Sequence, residues 1–159
     1  MWARESACHD FMPKARAFDG IAQLFADLRA RNLRIGLATS SQPDELQYYL
    51  GLLSIDESID PYIDIMVCGA DVSVEKPAPD LLLEAVSRIS LPAPRCWTVG
   101  DTPYDAYAAT TAQTVPIGTL TGGFTAETLR TAGCATTIAV ATDLPGVLSG
   151  IEGSSAQSS

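Results

Sequence analysis

An α/β fold, a parallel doubly wound sheet flanked by helices, is what this sequence predicts. Three observations lead there. Short apolar runs, too short to be helices, alternate with segments patterned as helices. Helix-start residues such as Pro43, Thr102-Pro103 and Thr125 stand ahead of those segments. Polar side chains with chemical potential cluster just after the apolar runs, where ligands bind in open parallel sheets.

The elements follow in order. Residues 2–12 are expected to be helical and carry the only histidine, His9. Residues 20–31 form an amphipathic helix: Ile21, Leu24, Phe25 and Leu28 share a face, and Arg29 and Arg31 complement its carboxyl end. Asp19 is expected as its N-cap. Leu33–Ala38 is a short strand. Pro43 opens a helix at its first position, with Asp44 and Glu45 in the first turn. Ile63–Cys68 is the second strand. Pro79 and Asp80 start a helix whose core residues are expected to be Leu82, Leu83 and Val86. Cys96–Gly100 is the third strand. Thr102 caps a helix with Pro103 at its first position, running through an alanine-rich stretch to about Ala112. Val115–Gly118, a short helix capped by Thr125, Thr136–Val140 and a helix over 143–149 complete the alternation. The tail, polar and low in complexity, is expected to be disordered over 151–159.

Composition narrows the function. The 159 residues suffice for one domain with its own core. A net charge of -9 argues against nucleic-acid and anionic-membrane partners. No apolar run approaches the roughly 18 residues needed to span a membrane. Cys8, Cys68, Cys96 and Cys134 have no metal-site spacing and read as reduced thiols, which implies a cytoplasmic setting. Neither a P-loop nor a dinucleotide fingerprint is present, and one histidine offers little basis for a Ser-His-Asp triad.

The strand ends hold a consistent set. Thr39, Ser40 and Ser41 follow the first strand, Lys76 and Pro77 the second, and Asp101 and Asp105 the third. Hydroxyls and amides can cradle a phosphoryl group, a lysine can neutralise it, and two carboxylates can share a divalent cation. Each has a plainer reading. Ser41 fits a helix cap, Lys76 a solvated loop lysine, and Asp105 the partner of Thr102 in a capping box. Asp101 precedes the cap and is not covered by that alternative. A phospho-receiver domain uses similar residues but places its acidic pair before the threonine and lysine.

"LATSS", "EKPAPDLL" and "VGDTPYDAYAA" resemble motifs two, three and four of the haloacid dehalogenase-like hydrolases. "PIGTLTGGFTAETLRTAGC" is similar to the segment after motif four in members resembling phosphoglycolate phosphatase. The resemblance implies a three-layer Rossmann-like core and Mg²⁺-dependent hydrolysis of a small phosphorylated metabolite, a phosphate monoester, through an aspartyl-phosphate. It implies that Thr39 and the Ser40 N–H bind the phosphoryl group and that Lys76, the one catalytic residue carried over, bridges phosphate and nucleophile. It assigns Asp101 and Asp105 to the metal. It also exposes a departure: motif one, a strand ending in Asp-x-Asp that supplies the nucleophile, has no match. Phe18-Asp19-Gly20 lacks both the preceding strand and the second Asp. The expectation is an incomplete core over residues 18–150, without its central nucleophile-bearing strand, after a remnant of a helical cap at 1–17. Such a chain is expected to be inactive alone; the alternative is a non-catalytic module that keeps metal or phosphate binding.

Overall fold

A computed structural model describes residues 18–52, 62–74 and 77–155, with Leu52 and the last six as backbone only. The expected helix over 2–12 with His9, and Lys76, lie outside the described residues. The order is α1 (Ile21–Ala30), β1 (Gly36–Ala38), α2 (Pro43–Leu52), β2 (Ile65–Val67), α3 (Asp80–Ile89), β3 (Trp97–Gly100), α4 (Pro103–Thr111), β4 (Val115–Thr119), α5 (Ala126–Thr131), β5 (Thr136–Ile138) and α6 (Leu144–Ser155). The alternation is the one the sequence predicts. Among the described residues, no helix is long and apolar enough to cross a membrane.

Every strand pairing is parallel, but the strands form two sheets. One joins β1 to β2, with Gly36 opposite Ile65 and Ala38 opposite Val67. The other runs β3-β4-β5, with Trp97 opposite Val115 and Gly118 opposite Thr137. Helices bridge the break. Leu24 and Leu28 of α1 and Leu144 and Leu148 of α6 pack with Ile35, Ile117 and Ile138 in one cluster. That cluster draws on both half-sheets and forms one outer layer. On the other face, Leu82 of α3 meets Ala108, Ala109 and Ala112 at α4, with Ala38 packed against them. Ala106 of α4 packs on Leu129, Ala132 and Cys134 at α5. Small alanines let α4 approach closely. This is the three-layer Rossmann-like arrangement, open in the middle.

Burial records the opening. In β4, flanked by strands on both sides, residues 116–119 are buried. No residue of β1 or β3 is buried, and Val99 is 39% exposed. Strands inside a parallel α/β sheet are normally covered on both faces. Between β1 and β3 lies a cleft of about 410 Å³. Leu33–Ala38 and Arg95–Val99 border it, with Leu24, Leu28, Leu144 and Leu148 on one side and Leu82, Val86 and Ile89 on the other. The sheet thus lacks a central strand among the described residues, as the sequence leads one to expect.

Several local expectations change. Gly20, in a left-handed conformation, takes the N-cap position of α1, and no side chain caps that helix. Asp19 stands one residue too early. Leu83 is 48% exposed, while Leu81, at 2%, joins Leu82 in the core. Leu81 and Ile89, about 2.2 turns apart, share the buried side of the helix, and Leu83, about 200° round from Leu81, is rotated off it. Strands β1, β2 and β5 are shorter than their apolar runs. Helix α6 continues past residue 149 to Ser155.

Candidate functional site

Site residues stand where strands end. Thr39 donates its N–H to the Val67 carbonyl at 3.0 Å, extending the β1–β2 ladder by one residue and fixing the backbone beneath its side chain. Its Oγ1 accepts the Ser41 N–H at 3.1 Å. The hydroxyl proton remains available to donate. The Ser40 N–H has no acceptor among the described residues, and the α2 amino terminus opens three positions later. Ser41 is not the helix cap. Gln42 occupies that position, donating its N–H to Glu45 Oε2 at 3.1 Å, while the Ser41 carbonyl accepts from Gly69 N–H at 2.9 Å. The loop after β2 therefore braces the loop after β1.

That second loop is itself anchored. Arg88 of α3 reaches Asp71 at 2.7 Å, Glu84 at 2.7 Å and the Met66 carbonyl at 2.8 Å. Asp71 also accepts the Cys68 N–H at 2.8 Å. The Cys68 amide, then Arg88, hold the Asp71 carboxyl down at about 2. The tie holds the loop that follows β2 against α3. Sequence reading missed it because Asp71 and Arg88 are seventeen positions apart.

The two remaining carboxylates differ in employment. Asp105 Oδ2 accepts the Thr102 N–H at 3.0 Å and the Thr102 hydroxyl at 2.7 Å, and Thr102 Oγ1 accepts the Asp105 N–H at 3.2 Å. The capping-box alternative for Asp105 is thus realised. Asp101, half-buried at the tip of β3, has no hydrogen-bond or ion-pair partner among the described residues. Two glycines permit this turn. A Cβ on Gly100 would overlap Asp105 Cβ, and one on Gly122 would overlap the Asp101 carbonyl oxygen and come within 2.9 Å of Asp101 Cγ. Gly122 lies in the short 3₁₀ turn Leu120–Gly122 after β4, so that loop is the wall behind Asp101. The Gly-Gly pair signals a turn in the sequence; its role as that wall comes from the approach of β4 to β3.

The strand ends therefore form two groups. Thr39 and Ser40 belong to the β1–β2 side, Asp101 and Asp105 to the β3–β4 side, and the cleft separates the strands that carry them. Asp105 reaches the cleft lining together with Ala38 and Val99. Among the described residues no group of three or more His, Cys, Asp or Glu side chains converges on a metal position. A carboxylate pair still fits Mg²⁺ as a partial set, because that ion binds through one or two carboxylates and completes its shell with water and phosphate oxygens. An unpartnered, half-buried Asp101 is the observation that favours the fit.

Parallel strands, flanking helices and polar side chains gathered at strand carboxyl ends define a class: Rossmann-like α/β proteins that bind ligands at that edge. The model of the haloacid dehalogenase-like hydrolase family matches residues 3–118, and the chain belongs to that family. A protein of Caldanaerobacter subterraneus subsp. tengcongensis that carries the provisional name pyrophosphatase PpaX is 29% identical over 104 residues, 65% of this chain and 44% of its own length. The crystal structure of a hydrolase from Pseudomonas syringae superposes with a TM-score of 0.80 at 31% identity, covering 90% of this chain and 64% of that one. A phosphatase of the same superfamily from Thermococcus onnurineus superposes with a TM-score of 0.73 at 19% identity, over 91% of this chain and 63% of that one. The chain thus spans about half to two thirds of the length of these relatives.

Proposed function

We propose that this chain carries the phosphoryl-binding and metal-binding strand ends of a Mg²⁺-dependent phosphatase acting on small phosphate monoesters, a cytoplasmic enzyme that works through an aspartyl-phosphate in its intact form. The observation that carries the reading is the pairing of a braced Thr39-Ser40 turn with an unpartnered Asp101 at the same edge of one fold. The Thr39 hydroxyl and Ser40 N–H would donate to phosphoryl oxygens. Lys76 would add the cation that an acidic protein needs to accept an anion. Asp101 would hold Mg²⁺, and Asp105 would keep the turn beneath it rigid and complete the carboxylate pair. When bound, the ion offsets charge on the phosphoryl oxygens.

We also propose that residues 1–159 alone do not turn over. No carboxylate of the described residues stands on a strand between Thr39 and Asp101, where an attacking group would face both. The same observation favours a second reading, a non-catalytic module that binds phosphate with a divalent ion. The test is an assay of the purified chain with Mg²⁺ and p-nitrophenyl phosphate, beside calorimetric titration of Mg²⁺ and inorganic phosphate. Binding weakened by Thr39→Ala and Asp101→Asn, with no turnover, is the expected result. Robust turnover abolished by Asp101→Ala would refute the inactivity, and phosphate binding insensitive to both substitutions would refute the site.

A further inference from the structure

We propose that Arg88 and Asp71, neither of which is a phosphoryl-binding group itself, are positioning residues for those groups: through Gly69 they fix the peptide that joins Ser40 to Ser41, and that peptide orients the Thr39 hydroxyl. The inference rests on the reading of Thr39 and Ser40 as phosphoryl-binding groups.

The line of contacts begins at the turn. The Ser41 N–H donates to Thr39 Oγ1 at 3.1 Å. In a trans peptide the C=O points opposite to the N–H that shares its plane. The Ser40 carbonyl is therefore directed away from Thr39, and it meets Gly69. A Cβ on Gly69 would stand 2.5 Å from the Ser40 oxygen and 2.8 Å from Gln42 Nε2. Gly69 also donates its N–H to the Ser41 carbonyl at 2.9 Å. The bare glycine backbone is thus the wall against one end of the peptide, and Thr39 Oγ1 is the acceptor at the other. A hydroxyl oxygen that accepts this N–H turns its own proton elsewhere. The Ser40 N–H belongs to the preceding peptide and has no acceptor among the described residues. Rotation of the Ser40–Ser41 peptide would release Thr39 Oγ1 and leave both donors without a fixed direction.

Gly69 is held in turn by the two residues named. It opens the short turn Gly69–Asp71. The Asp71 carboxylate accepts the Cys68 N–H at 2.8 Å, and the Asp71 N–H donates to the Cys68 carbonyl at 3.0 Å, so Gly69 is fixed between those two residues. Arg88 donates to the other Asp71 oxygen at 2.7 Å and to the Met66 carbonyl at 2.8 Å, spanning the end of β2 and the turn with one guanidinium. A planar, forked guanidinium suits this double role better than an ammonium. Arg88 stands on α3, whose Leu81, Leu82 and Ile89 are buried. The anchor is therefore a packed helix, and precision in a binding site comes from such rigid support. Arg88 and Asp71 are both partly exposed, so their pairing adds little to stability. What the pair supplies is the geometry of the turn that Gly69 touches.

The test titrates the full chain with inorganic phosphate in the presence of Mg²⁺, follows the Ser40 and Ser41 amides by NMR, and measures Mn²⁺ binding without phosphate by electron paramagnetic resonance. Arg88→Ala and Asp71→Ala should each weaken phosphate binding about three- to tenfold. The double variant should lose about as much as one alone, because the two act in series. Arg88→Lys should recover part of the loss. Mn²⁺ binding should not change, because Asp101 stands at the end of β3, in the other half-sheet. Glu84→Ala removes the other carboxylate that Arg88 touches, at 2.7 Å, and should leave phosphate affinity within about twofold. Gly69→Ala should displace the Ser41 amide resonance before any ligand is added, and weaken phosphate binding about tenfold. Phosphate affinity unchanged in Arg88→Ala, or phosphate and Mn²⁺ binding lost in parallel, would overturn the inference. A parent chain that binds no phosphate refutes the phosphoryl reading instead, and the ligand-free Ser41 amide then decides the line of contacts: displaced by Arg88→Ala it stands, unmoved it falls. If Gly69→Ala does not fold, the Arg88 and Asp71 variants decide alone.

Discussion

Asp101 and Asp105 sit four residues apart, yet their removal should have opposite consequences. Asp105→Ala deletes the acceptor for the Thr102 N–H at 3.0 Å and for the Thr102 hydroxyl at 2.7 Å. Loss of such a helix-start arrangement costs about 1.5 kcal/mol. For a chain of this size that lowers the melting temperature by about 3–6 °C, taking about 2–4 °C per kcal/mol. Thr102→Ala removes the other half of the same box, including the acceptor for the Asp105 N–H at 3.2 Å. The two residues serve one turn, so the double variant should lose clearly less than the sum of the singles, with a coupling of about 0.5 kcal/mol or more. Asp101→Asn removes a charge that has no partner among the described residues, and stability should move by no more than about 0.5 kcal/mol. Divalent-ion binding, read by Mn²⁺ electron paramagnetic resonance, should follow the opposite order, with Asp101→Asn the more damaging. Thermal melts by circular dichroism, checked for two-state behaviour by calorimetry, give the stability half of the comparison. An Asp101→Asn variant destabilised as much as Asp105→Ala, or strictly additive losses at Thr102 and Asp105, would refute the division between a ligand and a positioning residue.

Two further outcomes follow from the same geometry. Asp64 accepts the Ile35 N–H at 2.7 Å and Arg29 at 2.7 Å, with Arg34 at 3.6 Å. Burial pushes its carboxyl up, but the Ile35 amide and the arginines outweigh it and hold the group below the ordinary value. A depressed folded-state value means that this stabilisation is present above the unfolded value of about 3.9 and is lost as the pH falls through the folded value. Asp64→Ala should therefore cost about 2–3 kcal/mol at pH 7, and its melting curve should converge on that of the parent chain in acid; a constant gap down to about pH 2 would contradict this. Gly122→Ala places a methyl against the Asp101 carbonyl and should cost about 1–3 kcal/mol as the loop after β4 retreats. Unchanged stability and unshifted Asp101 resonances in NMR spectra would show that the loop is not the wall described.

The order of elements was legible because each carries a local signal. Thr102-Pro103 and Thr125 start helices where capping chemistry says they should, and the short apolar runs are strands. Missed features depend on packing between distant segments. Leu83 looks like core by composition but is turned outward by the phase of α3, and Leu81 takes its place. Asp19 looks like a cap, yet the turn at Gly20 moves the helix start beyond its reach. Arg88 is an ordinary helix-end arginine until the fold brings Asp71 and the Met66 carbonyl to it.

For the site the division is sharper. The sequence by itself determined which chemical groups exist and which end of the sheet they occupy, because strand–helix alternation places every post-strand residue at the same edge. Thr39, Ser40, Asp101 and Asp105 are all identifiable that way. Tertiary structure alone decided what those groups are free to do. It committed Asp105 to Thr102, left Asp101 without a partner among the described residues, and set Gly122 behind it. It also set a cleft between the two half-sheets, bordered by β1 on one side and β3 on the other among the described residues. The physical reason is that a capping residue or an apolar run acts within a few positions of itself, whereas a carboxylate's partners and a strand's neighbours are supplied by whatever chain the fold packs beside it.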